Sequence, residues 1–201
     1  MMIIQHRAND HKGTIEAEYA EMDVWMCDDG KIRLKHDVKG DANSAPPILL
    51  SDYLAAEPFD RYLVNIKQSL SISDLARISD SFLPFKLIGF FDVPTPLAIL
   101  ADKHFRIFHR RSEFERNTSA RFHWLDPLLS QSLKAHQENM EAKENDLFIV
   151  ACPSLHGTKL EVLKPVWEWV RDLGKDQFYL HRQMFGIVTK YPAKAKEFFN
   201  D

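Results

Sequence analysis

The sequence predicts an α/β fold, a compact TIM-type (β/α)8 barrel, and three observations predict it. Short apolar runs alternate with helical patterns along all 201 residues, the order expected of parallel βα units. Several of these runs are apolar almost without interruption, as strands covered on both faces must be. Once the run after the Asp28–Asp29–Gly30 turn is set aside as a hairpin arm, eight strand candidates remain, the number a closed barrel needs. An open doubly wound sheet is the competing arrangement.

The strand candidates are "MMIIQH" (1–6), "EYAEMDVWM" (18–26), "IRLKH" (32–36), "RYLVNIK" (61–67), "FKLIGFF" (85–91), "FRIFHR" (105–110), "RFHWL" (121–125), "LFIVAC" (147–152) and "FGIVTK" (185–190). Helical patterns fall between them. "SISDLARISDSF" (71–82) opens on a Ser/Asp cap signal, and "TPLAILADK" (95–103) carries Pro96 at an early helical position. In 126–145, Asp126 is the expected N-cap and Pro127 the first helical residue, with Leu129, Leu133 and Met140 on one face. In 159–174, Gly174 is the expected C-cap, and Pro165 should kink the helix or move its start. Trp167 reads as core, with Leu163 and Val170 as neighbours. No repeat or linker stands out, and "KGDANSAPP" (39–47) reads as a long loop, so residues 1–201 are expected to form a single barrel domain.

Composition narrows the function. Apolar residues make up 45% of the chain, enough for a full core. The formal charge is 26 − 29 = −3, which does not point to nucleic acid as a partner. Cys27 and Cys152 form no CxxC pair and read as reduced thiols. "MMII" is too short for a signal-peptide core, and no apolar run approaches the roughly 20 residues of a membrane span. A cytoplasmic protein with no membrane span is the expectation.

The chemistry gathers near the N-terminus. In a strand, Glu21 and Asp23 are two apart and share a face. Two buried carboxylates on one face repel each other and lose hydration, and a cation between them relieves both. Oxygen-only ligands favour Mg2+ or Ca2+. An edge strand with both acids solvated is the alternative. His6 and His36 each end an apolar run, where barrel active sites form, and two such histidines suit general acid–base work. Arg7 offers a forked phosphate donor, and Lys67 adds positive charge.

The series His6–Arg7, Glu21-x-Asp23, Asp29–Gly30 and His36–Asp37 resembles the N-terminal signature of the glycerophosphodiester phosphodiesterase family. That family opens with His-Arg-Gly and continues through Glu-x-Asp and an Asp-Gly turn to His-Asp. "LVNIK" is similar to its Ile-Glu-Ile-Lys strand, and "FGIVTKYP" (185–192) to its closing Thr-Asp-Tyr-Pro strand. The stronger part covers roughly the first 70 residues. The resemblance implies a barrel related to phosphatidylinositol phospholipases C, acting on a small glycerol- or sugar-linked phosphodiester. By it, His6 and His36 are the acid–base pair, Arg7 and Lys67 hold the phosphate, and Glu21, Asp23 and Asn65 bind the metal. Four departures stand out. Ala8 replaces the family's glycine, Asn65 its third acid and Lys190 its closing aspartate, and "HKGTIEAE" (11–18) stands where Pro-Glu-Asn-Thr is usual. A chain this short lacks the insertion that gives many relatives a glycerol pocket. Loss of charge at Asn65 leaves open a barrel that binds a phosphorylated ligand without turnover.

Other residues are read more plainly. Asp92 is either a replacement acid or a helix N-cap, with the cap favoured. His109, Arg110 and Arg111 end a strand where a phosphate or acidic head group could bind, with a solvated basic loop paired with Glu113 and Glu115 the favoured reading. Trp124 ends a strand where a ligand could pack, and Cys152 is a packed thiol. His11, His104, His123, His136, His156 and His181 have no metal-ligand spacing, although His11 lies near His6 in sequence.

Overall fold

The computed structural model describes residues 1–8, 17–36, 48–56, 61–115, 120–128, 132–139, 147–156, 160–175 and 185–200. Its strands are β1 (Met2–Gln5), β2 (Tyr19–Met26), β3 (Ile32–Leu34), β4 (Ile48–Leu49), β5 (Arg61–Ile66), β6 (Lys86–Phe91), β7 (Ile107–Arg111), β8 (Phe122–Leu125), β9 (Leu147–Ala151) and β10 (Phe185–Thr189). Its helices are α1 (Leu50–Ala56), α2 (Ile72–Ser81), α3 (Thr95–Ala101), α4 (Leu133–Asn139), α5 (Leu160–Lys175) and α6 (Pro192–Asn200). The strand order is β1-β10-β9-β8-β7-β6-β5-β2-β3-β4, and β1 also pairs with β2. β3 and β4 add antiparallel to β2, and the other eight strands are the closed parallel ring of a (β/α)8 barrel. The chain divides into two units, Arg7–Ile107 and Met1–His6 with Phe108–Asp201.

In the unit 7–107, β2 is buried on both faces. Ala20, Met22 and Val24 join a core with Leu50, Tyr53 and Leu54 of α1 and Leu75 and Ile78 of α2. That commits Glu21 and Asp23 to the other face. The capping signal at residue 71 is realised. Ser71 Oγ accepts from Asp74 N at 3.2 Å, and Asp74 Oδ2 accepts from Ser71 N at 3.0 Å. β4 and α1 follow the 39–47 loop, in a stretch where no element is read from the sequence. A two-residue strand and a seven-residue helix are too short to show a period. Asp92 does not cap α3. Pro94 holds the cap position with no side-chain bond, and Asp92 has a left-handed backbone with φ 59°.

In the other unit, Leu125, Phe148, Val150 and Ile187 pack with Leu163, Val166, Trp167 and Val170 of α5, the core role read for Trp167. Two helix boundaries need correction. Asp126 starts no helix, because α4 begins at Leu133. The Asp126 carboxylate is instead bonded by Trp124 and His156. Gly174 lies inside α5, which runs to Lys175, and Gly30 is the described glycine with positive φ. Leu129 and Met140 lie outside the described residues.

Gly186 sits where β10 passes β1 closely. A Cβ there would come within 3.1 Å of Met2 Cβ and 3.2 Å of the Met2 carbonyl oxygen. The backbone oxygen is pinned by its strand, so Gly186→Ala is expected to destabilise the fold by about 1–3 kcal/mol. Urea unfolding checks this. An unchanged midpoint would show that the two strands separate freely.

Candidate active site

Register brings the acidic residues together. β2 and β5 are parallel, with Asp23 opposite Asn65 and Glu21 opposite Leu63. Paired residues share a face, so Glu21, Asp23 and Asn65 line one surface. Glu21 and Asp23 are 0% exposed and Asn65 is 6% exposed. The solvated edge-strand reading of the two acids is thereby overturned, since β2 lies between β5 and β3.

Cations approach from two directions. Lys67 follows β5 and puts Nζ 3.1 Å from Asp23 Oδ1. The Arg7 backbone N–H donates to Glu21 Oε2 at 2.7 Å, and its guanidinium Nη2 donates to His36 Nε2. Arginine has no acceptor, so His36 Nε2 must supply the lone pair, and a neutral ring then carries its proton on Nδ1. Arg7 has a left-handed backbone, φ 47°, strain of the kind that collects at functional sites and persists where the surroundings enforce it.

The electrostatics fit a hard divalent cation. Burial pushes the Glu21 carboxyl well above the usual range, and the Asp23 charge pushes it the same way. The Arg7 N–H, Lys67 and Arg7's charge act in opposition. Asn65 Oδ1 is buried, and no hydrogen-bond donor faces it among the described residues. The donor set is oxygen only, the kind a hard cation takes. Among the described residues, no group of three or more His, Cys, Asp or Glu side chains forms a metal cluster, and Asn65 is the residue on this face that could add an amide oxygen to the two carboxylates.

The remaining site residues are placed less centrally. His6 belongs to the other unit, and its backbone N–H donates to the Thr189 carbonyl oxygen at 3.0 Å. Asp37, His11 and His181 lie outside the described residues. The solvated reading of 108–116 is corrected for His109 and Arg111, which are buried because they alternate inward along β7. The Arg111 guanidinium lies 5.6 Å over the Phe148 ring, and His123 stacks on that ring at 4.8 Å. Arg110 keeps its pairing, 3.8 Å from Glu115. Trp124 is buried, so it is not open to a ligand.

Cys152 is the packed thiol expected. Trp167 Nε1 donates to its Sγ at 3.3 Å, and burial pushes the thiol pKa up to about 12. A native protein should therefore react with Ellman's reagent at Cys27 alone, and Cys152 should follow only on unfolding. A raised thiol pKa favours the folded state at neutral pH. That contribution is lost as pH climbs from the ordinary thiol range toward 12. Two fast-reacting thiols in the native protein would contradict the packing.

No family model matches the chain, and no curated protein matches it. Solved structures do. It is similar to a glycerophosphodiester phosphodiesterase from Agrobacterium tumefaciens, with 13% identity, 98% of each chain covered and a TM-score of 0.55. A glycerophosphoryl diester phosphodiesterase from Parabacteroides distasonis shows 11% identity over 99% of this chain and 86% of that one, TM-score 0.54. A provisionally assigned glycerophosphodiester phosphodiesterase from Galdieria sulphuraria shows 14% identity over 100% and 98%, TM-score 0.57. At these identities the likeness is one of fold, and it agrees with the barrel strand order.

Proposed function

We propose that the chain is a phosphodiester hydrolase acting on a small glycerol- or sugar-linked phosphodiester. One observation carries the reading: two buried carboxylates, an amide oxygen without a donor, a lysine, an arginine and a histidine meet around β2 and β5. The N-terminal motifs and the likeness to phosphodiesterase structures support the same class. Glu21, Asp23 and Asn65 would hold Mg2+ or Ca2+. When bound, that metal polarises a phosphoryl oxygen and makes a nucleophilic hydroxyl more acidic.

The chain's own residues divide the rest of the work. Arg7 and Lys67 bind the phosphate. A phosphate that engages Arg7 draws its guanidinium off His36 and uncovers the Nε2 lone pair as a base. His36 takes the proton of the attacking oxygen, from water or from a neighbouring hydroxyl of the substrate. His6 returns a proton to the departing alcohol. Free, unbridged Cys27 and Cys152 suit a cytoplasmic setting, and among the described residues no helix is long and apolar enough to cross a membrane.

A second reading rests on the Lys67–Asp23 ion pair and the uncharged Asn65, which together lower the site's pull on a metal. On that reading the barrel binds a phosphorylated ligand without turnover. Hydrolysis of bis(p-nitrophenyl) phosphate in Mg2+ or Ca2+, abolished by EDTA, is expected of the enzyme. A binding module would give thermal stabilisation by glycerophosphocholine and no product.

A further inference from the structure

The Lys67–Asp23 ion pair joins a movable partner to a fixed one, both in the unit 7–107. Asp23 cannot leave. Its strand lies between β5 and β3, its carbonyl oxygen accepts from the Lys35 N–H at 3.2 Å, and its side chain is 1% exposed. The Lys67 backbone is equally held. Its N–H donates to the Val24 carbonyl oxygen at 3.3 Å, and the next residue clasps β2. Gln68 Oε1 accepts from the Met26 N–H at 3.2 Å, and Gln68 Nε2 donates to the Met26 carbonyl oxygen at 2.9 Å. Only the Lys67 side chain is left to move. It is a flexible stem that ends in a point charge, and it is 18% exposed.

Charge arithmetic decides where that ammonium goes. Glu21 and Asp23, when both are ionised, are balanced by Lys67 and Arg7. A divalent cation held by Glu21, Asp23 and Asn65 leaves the site positive, in buried surroundings where Coulomb forces are strong. Lys67 repels that cation for as long as it stays on Asp23 Oδ1. A phosphodiester brings the missing negative charge. An ammonium that moves onto a phosphate oxygen lowers the repulsion and releases Oδ1 as a ligand atom. Neither event is favourable alone. The cation without the diester crowds positive charge, and Lys67 leaving without the cation strips a buried carboxylate of its partner.

We infer that Lys67 holds the metal's place on Asp23 and gives it up when a phosphodiester arrives, so that metal and substrate bind as a linked pair. The inference rests on the hydrolase reading of this site and adds how the site is regulated. Each ligand tightens the other, by the same factor. Protein without substrate holds Mg2+ or Ca2+ weakly, and the site is completed around the diester.

Calorimetric titration with Ca2+, with and without saturating dimethyl phosphate, tests it. Wild-type protein should bind Ca2+ at least about tenfold more tightly with the diester present. Lys67→Met removes the resident ammonium, so Ca2+ alone should bind about tenfold more tightly than to wild type. The gain from the diester should then shrink by at least about threefold. Lys67→Gln should behave alike, and its amide N–H still covers Asp23 if Lys67→Met does not fold. The gain, not the affinity, is the deciding number. Removing a positive charge tightens metal binding wherever that charge sits, whereas a Lys67 that stays on Asp23 leaves the gain as large in the variants as in wild type. An equal gain, no gain in wild type, or no Ca2+ binding by wild type with the diester present overturns the inference. Turnover of glycerophosphocholine is followed in parallel. A protein that hydrolyses it while the gain ignores Lys67 loses only the exchange. A Lys67-dependent gain in a protein that hydrolyses nothing sinks the hydrolase reading and leaves the exchange standing.

Discussion

His36→Ala is expected to cut turnover of bis(p-nitrophenyl) phosphate by about 10²–10⁴-fold, the usual worth of a positioned acid–base group. The magnitude follows from the contact with Arg7. Before substrate binds, the ring gives its Nε2 lone pair to the guanidinium, so it presets the fork that the phosphate then takes over and is itself the base once released. Alanine removes both roles, and KM should rise as kcat falls. His36→Gln separates them. Its amide oxygen still accepts from Arg7, so KM should recover toward wild type, while kcat stays low because an amide is no base. Full activity in His36→Gln would show that the residue positions Arg7 and moves no proton.

Asn65→Asp is expected to act in two opposite directions. With no metal it places a third carboxylate on the face already shared by Glu21 and Asp23, where burial and mutual charge have pushed Glu21 upward. Stability should fall by about 1–3 kcal/mol as the crowded acids are desolvated together. With Mg2+ or Ca2+ present, the added charge should raise metal affinity at least about tenfold, because carboxylate count sets the strength of a hard-cation site. Melting curves with and without EDTA read both effects. The gap between the two curves should be wider in the variant than in wild type. A variant as stable as wild type in EDTA and indifferent to both ions would mean that residue 65 does not face the acids.

How much of this the sequence reveals depends on the range of the interaction. Glu21-x-Asp23 is legible because two residues of one strand share a face whatever the rest of the chain does. The start of α2 is legible for a similar reason, since Ser71 and Asp74 satisfy each other within one turn. Interactions over longer separations are hidden. Asp126 looks like an N-cap, because the sequence carries no sign of His156 thirty residues later. His109 and Arg111 look like a basic loop until β7 turns them inward beside Phe148. The Arg7–His36 contact likewise joins two strand ends 29 residues apart, and motif spacing alone does not show which ring nitrogen is engaged.

Phosphorus-31 NMR of glycerophosphocholine incubated with the protein and Mg2+ or Ca2+ tests the central claim most directly. The phosphodiester resonance should give way to a phosphomonoester or cyclic phosphate signal. A diester signal that stays constant at every metal concentration, with the protein still folded, would contradict a hydrolase built around Glu21, Asp23, Arg7 and His36.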